Sequence, residues 1–240
     1  MFKILLLSLG LLAALPMMQA HADGPALNRT ITVNGHGENK AAPDMAIVDL
    51  GVFSQGNTAK AALEANTKNM SALMDLLKAA GIDGKDIQTS SFNVGPRYDN
   101  SGKQPPKVVG YDVSNSVSVT VHRLDALGAL LDQAVASGSN QVNGLSFTIG
   151  EPQKLQDDAR VDAVKDAQRK AALMASAAGA KLGNVVIIND AGGVPPMPMA
   201  RAPMMADAMM AKSAPVPVAQ GQMIISSDVN VVWELVPNAP

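Results

Sequence analysis

The chain has 240 residues, 47% hydrophobic but only 3% aromatic, and its 19 Lys and Arg against 21 Asp and Glu leave a formal net charge of −2. That balance offers no basic stripe for a phosphate backbone and few stacking platforms, so nucleic acid is not an expected partner. Cysteine is absent, which removes disulfides, thiol catalysis and cysteine metal sites together.

At the start, Lys3 precedes an apolar run from Ile4 to Leu15, and Ala20-His21-Ala22 follows as a small-x-small pattern. This is the order of a secretory signal peptide occupying 1–22, with cleavage expected after Ala22. The apolar run is about twelve residues, short of the ~20 needed to cross a bilayer. No later run is long enough either, so no transmembrane anchor is expected after cleavage. The expected compartment is the periplasm, with envelope association left open. Removing residues 1–22 takes away Lys3 and no acidic residue, leaving 218 residues at a formal charge of −3. A chain of that length buries a core without disulfides. His21 leaves with the signal, and His36 and His122 alone are too few for a histidine-rich zinc site.

Residues 30–38, TITVNGHGE, read as a short strand ending in a glycine-rich turn. Asp44–Ser54 is a strand with Ala46, Val48, Leu50 and Val52 on one face. Over 58–80 the period changes: Leu63, Met70, Leu73, Met74 and Leu77 form a helical stripe, capped by Thr58 and followed by Gly81. Lys85–Tyr98 returns to strand, with Phe92, Val94 and Tyr98 on one side, and the turn-forming DNSGKQPPK follows. The run 108–122 alternates without a break. Val109, Tyr111, Val113, Val117, Val119 and Val121 face one way, while Gly110, Asp112, Ser114, Ser116, Ser118 and Thr120 face the other.

Leu124–Ser137 is a second amphipathic helix, ended by Gly138, and Gln141–Ile149 is a further strand. A long helix over 153–178 carries a seam of Leu155, Ala159, Ala163, Ala167, Ala171, Met174 and Ala178, and Gly179 stops it. Asn184–Asn189 and Gln222–Val236 complete the strands. The order over 42–150, β-α-β-β-α-β, is that of a ferredoxin-like unit with both helices on one face of a four-stranded antiparallel sheet. Residues 28–41 and 151–236 are then a discontinuous second domain, a two-layer α/β sandwich on the long helix. The fold class is α+β.

Chemistry is harder to find. Gly35-His36-Gly37-Glu38 lacks the third glycine and the following helix of a dinucleotide loop. Asp44 and Asp49 have no partner at a spacing that implies an acid–base pair, and Ser90-Ser91 has no nucleophile-elbow context. Arg160, Lys165, Arg169 and Lys170 alternate with Asp157, Asp158, Asp162 and Asp166 at spacings that make a solvated salt-bridge face. No catalytic, cofactor-binding or metal residue is assigned.

The stretch Ala191–Gly221 holds six prolines, six methionines and eight alanines. Prolines at that density preclude a continuous helix or a central strand, so a mobile loop is expected between the last two strands. Its methionines (Met197, Met199, Met204, Met205, Met209, Met210) admit further readings. They are soft Cu(I) donors, an adaptable apolar surface, or a reversible sink for oxidants through the sulfoxide.

Several segments together resemble one family. ITVNGHGE, then APDMAIVDLGV (42–52), AGIDGKDIQTSSFNV (80–94), GYDVSNSVSVTV (110–121), LDQAVASGSNQVNGLSF (131–147), ARVDAVKDAQRKAALMASAAGAKLGNVVII (159–188) and DVNVVWEL (228–235) resemble SIMPL-domain proteins in order and spacing. They resemble in particular the bacterial periplasmic members of oxidative-stress-defence or periplasmic immunogenic type. The resemblance implies an exported α+β homo-oligomer associated with stress tolerance, with no reaction and no catalytic residues to transfer. The expected function is a non-enzymatic periplasmic protein that self-assembles and supports envelope or oxidative stress tolerance. The alternative is a soft-metal or small-ligand module, or an oxidant sink, on the Met-rich loop.

Overall fold

The computed structural model describes residues 29–99, 105–193, 196–199 and 216–237. The expected signal segment and four of the six loop methionines lie outside them. Two antiparallel sheets organise the chain.

The first sheet contains β2 (Met45–Gly56), β3 (Ile87–Asp99), β4 (Lys107–Val121) and β5 (Gln141–Thr148) in the order β3-β4-β2-β5. Numbered within their own unit, these strands run 4-1-3-2 from β5, the ferredoxin-like order expected from the sequence. Helix α1 (Ala59–Ala79) and helix α2 (Leu127–Ala136) cover one face. Met70, Leu73 and Leu77 of α1 and Leu127, Leu130, Leu131 and Ala134 of α2 share a core with Ala46, Val48, Leu50, Val52, Val117, Val119 and Val121. The alternation read over β4 thus puts Val117, Val119 and Val121 into this core and buries Val113 as well, while Val109 stays exposed.

Thr58 caps α1, its hydroxyl accepting the Ala61 N–H at 3.1 Å, and Gly81 takes the positive φ of 82° past the helix end. The buried stripe of α1 is Ala62, Asn66, Met70, Leu73 and Leu77, whereas Leu63 is exposed. Asn66 enters because its amide has work there: Nδ2 donates to the carbonyls of Val52 at 2.7 Å and Val113 at 3.3 Å. It ties the helix to two strands at once.

The second sheet has the order β1-β8-β6, formed by β1 (Thr30–Ala41), β6 (Ala180–Gly193) and β8 (Met223–Pro237), with the two-residue β7 (Met197–Pro198) also on β8. Helix α3 (Gln153–Ala177) covers it through Ala159, Ala163, Ala167, Ala171 and Ala175. The seam runs on to Ala175 rather than through Met174, which is exposed. The row runs antiparallel along β1, with Gly35 against Ala163 and Ala167, Gly37 against Ala159 and Asn39 Nδ2 on the Leu155 carbonyl. Val33, Val229, Val231 and Trp233 complete this core.

The expected turn at Gly35–Glu38 is not there. Strand β1 continues straight through it to Ala41, and Gly35 and Gly37 face α3. A Cβ on Gly35 would lie 2.0 Å from the Ala163 carbonyl oxygen, and one on Gly37 2.0 Å from that of Ala159. These glycines admit a helix backbone, not a bend. Strand β6 also runs past the expected 184–189 in both directions, with three register shifts against β8. The start of the Met-rich stretch is built into the sheet: Ala191–Gly193 belong to β6, and Met197 and Pro198 pair with Ile224 and Met223.

Candidate functional site

Each sheet keeps one face free of helices, and most chemistry-bearing residues lie on or beside those faces. On the second sheet the even residues of β1 point away from α3. His36 Nδ1 lies 2.8 Å from Asp228 Oδ1 on the neighbouring strand, and Nε2 lies 3.9 Å from Glu38. Lys40 pairs with Glu38 at 3.1 Å, and Asn230 Nδ2 donates to Asn34 Oδ1 at 2.7 Å. His36 and Asp228 are directly opposed in the ladder and about half exposed. That makes them a cross-strand pair in water, a weak stabiliser rather than a catalytic dyad.

The outer edge of β1 is closed from the side by α3. The even residues of β1 turn backbone groups away from β8; the His36 N–H donates to Asp166 Oδ2 at 3.1 Å, and Lys170 Nζ donates to the Asn34 carbonyl at 3.2 Å. Two helix side chains thereby occupy groups that an added strand would use. Lys170, then Arg169, then the His36 N–H hold the Asp166 carboxyl well below the usual carboxylate range. The salt-bridge face read along α3 is present in Lys154–Asp158, Arg160–Asp157, Lys165–Asp162 and Arg169–Asp166. Sequence spacing missed two longer reaches. Asp166 seals a strand edge, and Asp190 joins β6 to α3 through Arg160 at 3.0 Å.

On the first sheet the open face carries Asp49 and Asp112, the latter 3.6 Å from Arg97, among hydrogen-bonded serines and amides. Ser114 donates to Gln141 Oε1 at 3.3 Å, and Asn143 Nδ2 to Ser116 Oγ at 3.4 Å. These pairs join β4 to β5 over the intervening β2, which is possible because β2 has Gly51 there: a Cβ on it would lie 2.7 Å from Ser116 Oγ. Asp49 lies on this face between Ser118 and Gly144, and Ser91 lies opposite Ser116. Asp44 accepts the Gly150 N–H at 2.8 Å and so closes the start of β2 onto the end of β5. That is a structural role.

A recess lies at this same end of the first sheet, where β4 gives way to α2. It encloses about 430 Å³. His122 Nε2 stands 3.2 Å from Asp86 Oδ2 on its rim, and Arg123 Nη2 donates to the Ala80 carbonyl at 2.9 Å. Ile82, Val121 and Leu130 supply apolar lining. The residues arrive from the turn after α1, the end of β4 and one stripe of α2, so no local motif announced them. Among the described residues no three His, Asp or Glu side chains gather as a metal-binding group.

Of the loop methionines, Met197 is exposed on β7 and Met199 is held by its N–H to the Gln222 carbonyl at 2.9 Å. The readings that involve Met204, Met205, Met209 and Met210 fall outside the described residues.

The fold and its two helix-free faces define an α+β protein of paired antiparallel sheets, one of them ferredoxin-like. The chain belongs to the SIMPL family, whose model, described as a protein of unknown function (DUF541), matches residues 31–233. It is 39% identical to the 26 kDa periplasmic immunogenic protein of Brucella melitensis biotype 1 over 210 residues, 85% of this chain and 84% of that one. The protein of the same name from Brucella abortus is 38% identical over the same length. The uncharacterized protein YggE of Escherichia coli strain K12 is 30% identical over 245 residues, 98% of this chain and 95% of its own. No helix among the described residues is long and apolar enough to cross a membrane.

Proposed function

We propose that this chain is an exported, non-enzymatic periplasmic protein that self-assembles and supports envelope or oxidative stress tolerance. The observation that carries self-assembly is the edge strand β3. In the sheet order it is a terminal strand, with β4 as its one strand neighbour among the described residues, and it presents Phe92, Val94 and Tyr98 to solvent, Phe92 at 56% exposure. Val108 and Val109 on β4 are exposed beside them. An apolar edge strand is a template for a further strand, and over Phe92–Tyr98 no helix side chain among the described residues covers it as Asp166 and Lys170 cover β1. The periplasmic location is supported by the signal-like first 22 residues and by the printed names of the Brucella relatives.

Sedimentation velocity on residues 23–240 tests the assembly. A species larger than a monomer is expected, and Phe92→Ser with Tyr98→Ser shifts it toward monomer. A wild type that stays monomeric at high micromolar concentration overturns the reading. The stress role is tested by peroxide survival of cells with and without the protein; equal survival overturns that part.

A second reading rests on the exposure of Met197 at 58%. A thioether so placed is open to Cu(I) or to an oxidant. Anaerobic Cu(I) titration of the wild type and of a variant with all six loop methionines changed to Leu tests the metal arm, and equal binding by both sinks it.

A further inference from the structure

We propose that the recess beside His122 binds a small zwitterion with an apolar side chain, of the chemical class of a free apolar amino acid. Three observations converge. The first is the space itself, about 430 Å³, within the ~300–1,000 Å³ typical of small-molecule sites. It exists because Ala126, just before α2, and Ala129, Leu130 and Gln133 on α2 line it together with the turn after α1. The two alanines leave open what larger side chains would fill.

The second observation is that opposite charges share its wall: Arg123 on one side, and on the other Asp86 together with Asp83, which is exposed and already paired with Lys85 at 3.5 Å. Asp86 has a side chain only 16% exposed, with one oxygen on His122. Arg123 uses Nη2 on the Ala80 carbonyl, its one side-chain hydrogen bond among the described residues, which leaves most of its five N–H donors for a ligand. A carboxylate and a guanidinium are thus presented to one cavity. A ligand with only an ammonium meets Arg123 as a like charge, and one with only a carboxylate meets Asp86. A zwitterion satisfies both, through charge-assisted hydrogen bonds that are stronger than neutral ones.

The third is the lining. Ile82, Val121 and Leu130 are apolar, Leu130 only 6% exposed. They suit an aliphatic or aromatic side chain, and Gln133 at the rim offers a further donor and acceptor. The residues of β3 that carry the assembly proposal take no part in this wall, so the two readings stand or fall separately.

The test is calorimetric titration of residues 23–240 with leucine and phenylalanine, alongside 2-phenylethylamine and 3-phenylpropionate, which each lack one of the two charges. Saturable binding of at least one amino acid is expected, with both single-charge analogues at least about tenfold weaker than phenylalanine if that is the binder, since a lost charged hydrogen bond is worth that much or more. Ala129→Leu, on an exposed helical position, fills the recess and is expected to abolish binding with an unchanged melting temperature. No saturation by either amino acid below about 10 mM overturns the proposal. So does binding by either analogue as tight as by the amino acid, or binding that survives Ala129→Leu. The analogue comparison needs no variant and holds even where the substitution disturbs the helix.

Discussion

Gly35 on β1 lies against the backbone of Ala163 on α3 so closely that a Cβ would come within 2.0 Å of the Ala163 carbonyl oxygen and 2.7 Å of the Ala167 Cβ. A carbonyl in a helix cannot turn aside as a flexible side chain can. Gly35→Ala must therefore lift α3 from the sheet and open the core around Val33, Val231 and Trp233. The expected cost is about 3 kcal/mol or more, at or above the upper end of ordinary overpacking. Gly84→Ala is the matched control, because a Cβ there meets nothing within 4 Å. Urea unfolding of the two variants is expected to show a large loss for the first and almost none for the second.

This contact explains what was legible in the sequence and what was not. The alternation of β4 and the alanine seam of α3 are local patterns, and Val113, Val117, Val119, Ala163 and Ala167 are buried as those patterns require. The order of elements over the ferredoxin-like unit was likewise enough to give its strand order. The meaning of Gly35-His36-Gly37 depended on a helix about 130 residues away, so a glycine pair that admits a backbone read as a turn. Asn66 was passed over and Leu63 preferred because polarity was read as exposure, although the deciding factor was two carbonyls on β2 and β4. The recess beside His122 draws on three separate segments of ordinary composition, and only their packing reveals it.

Asp166 gives a pH signature. Its carboxyl is held below its ordinary value by Lys170, Arg169 and the His36 N–H. In the unfolded chain it titrates near the ordinary aspartate value, about 3.9, so between the two values the unfolded state binds more protons. Its contribution is therefore fully present above pH ~5 and is lost as pH falls through the acid range below that. Asp166→Asn removes this group and is expected to have a flatter dependence of unfolding free energy on pH from 5 to 2.5. Parallel curves for the two proteins over that range contradict the assignment. Raised salt is expected to narrow the difference, since the partners are largely solvent-facing.

Asn66 is expected to be the most sensitive polar residue in the first core. Asn66→Ala leaves the carbonyls of Val52 and Val113 without this donor and opens a small cavity, at a cost of about 2–3 kcal/mol. Asn66→Asp is the sharper test because it keeps the shape. At neutral pH it sets a buried carboxylate against two carbonyl oxygens and is expected to be worse than Ala. A carboxyl in that position has its folded-state value raised, so the folded state takes up the proton first and the variant regains stability as pH falls. Chemical denaturation at pH 7 and pH 5 checks the sign.

The division of the chain at 41/42 and 150/151 can be tested through Trp233. It is the only tryptophan, 4% exposed, and it packs with Val33, Ala163, Ala167, Ala171, Val229 and Val231 in the core under α3. The core under α1 and α2 has no tryptophan. Between them lies a small cluster of Ile149, Met223 and Ile225, with Ala41 and Leu155 against it, at the point where β5 hands over to α3, and Val218 also packs against the first core. A junction that small couples two cores weakly, so each is expected to unfold on its own. Tryptophan fluorescence then follows one transition in urea, while far-UV circular dichroism, which also sees α1 and α2, follows two. Superimposable curves from the two probes mark a single cooperative unit and remove the boundary.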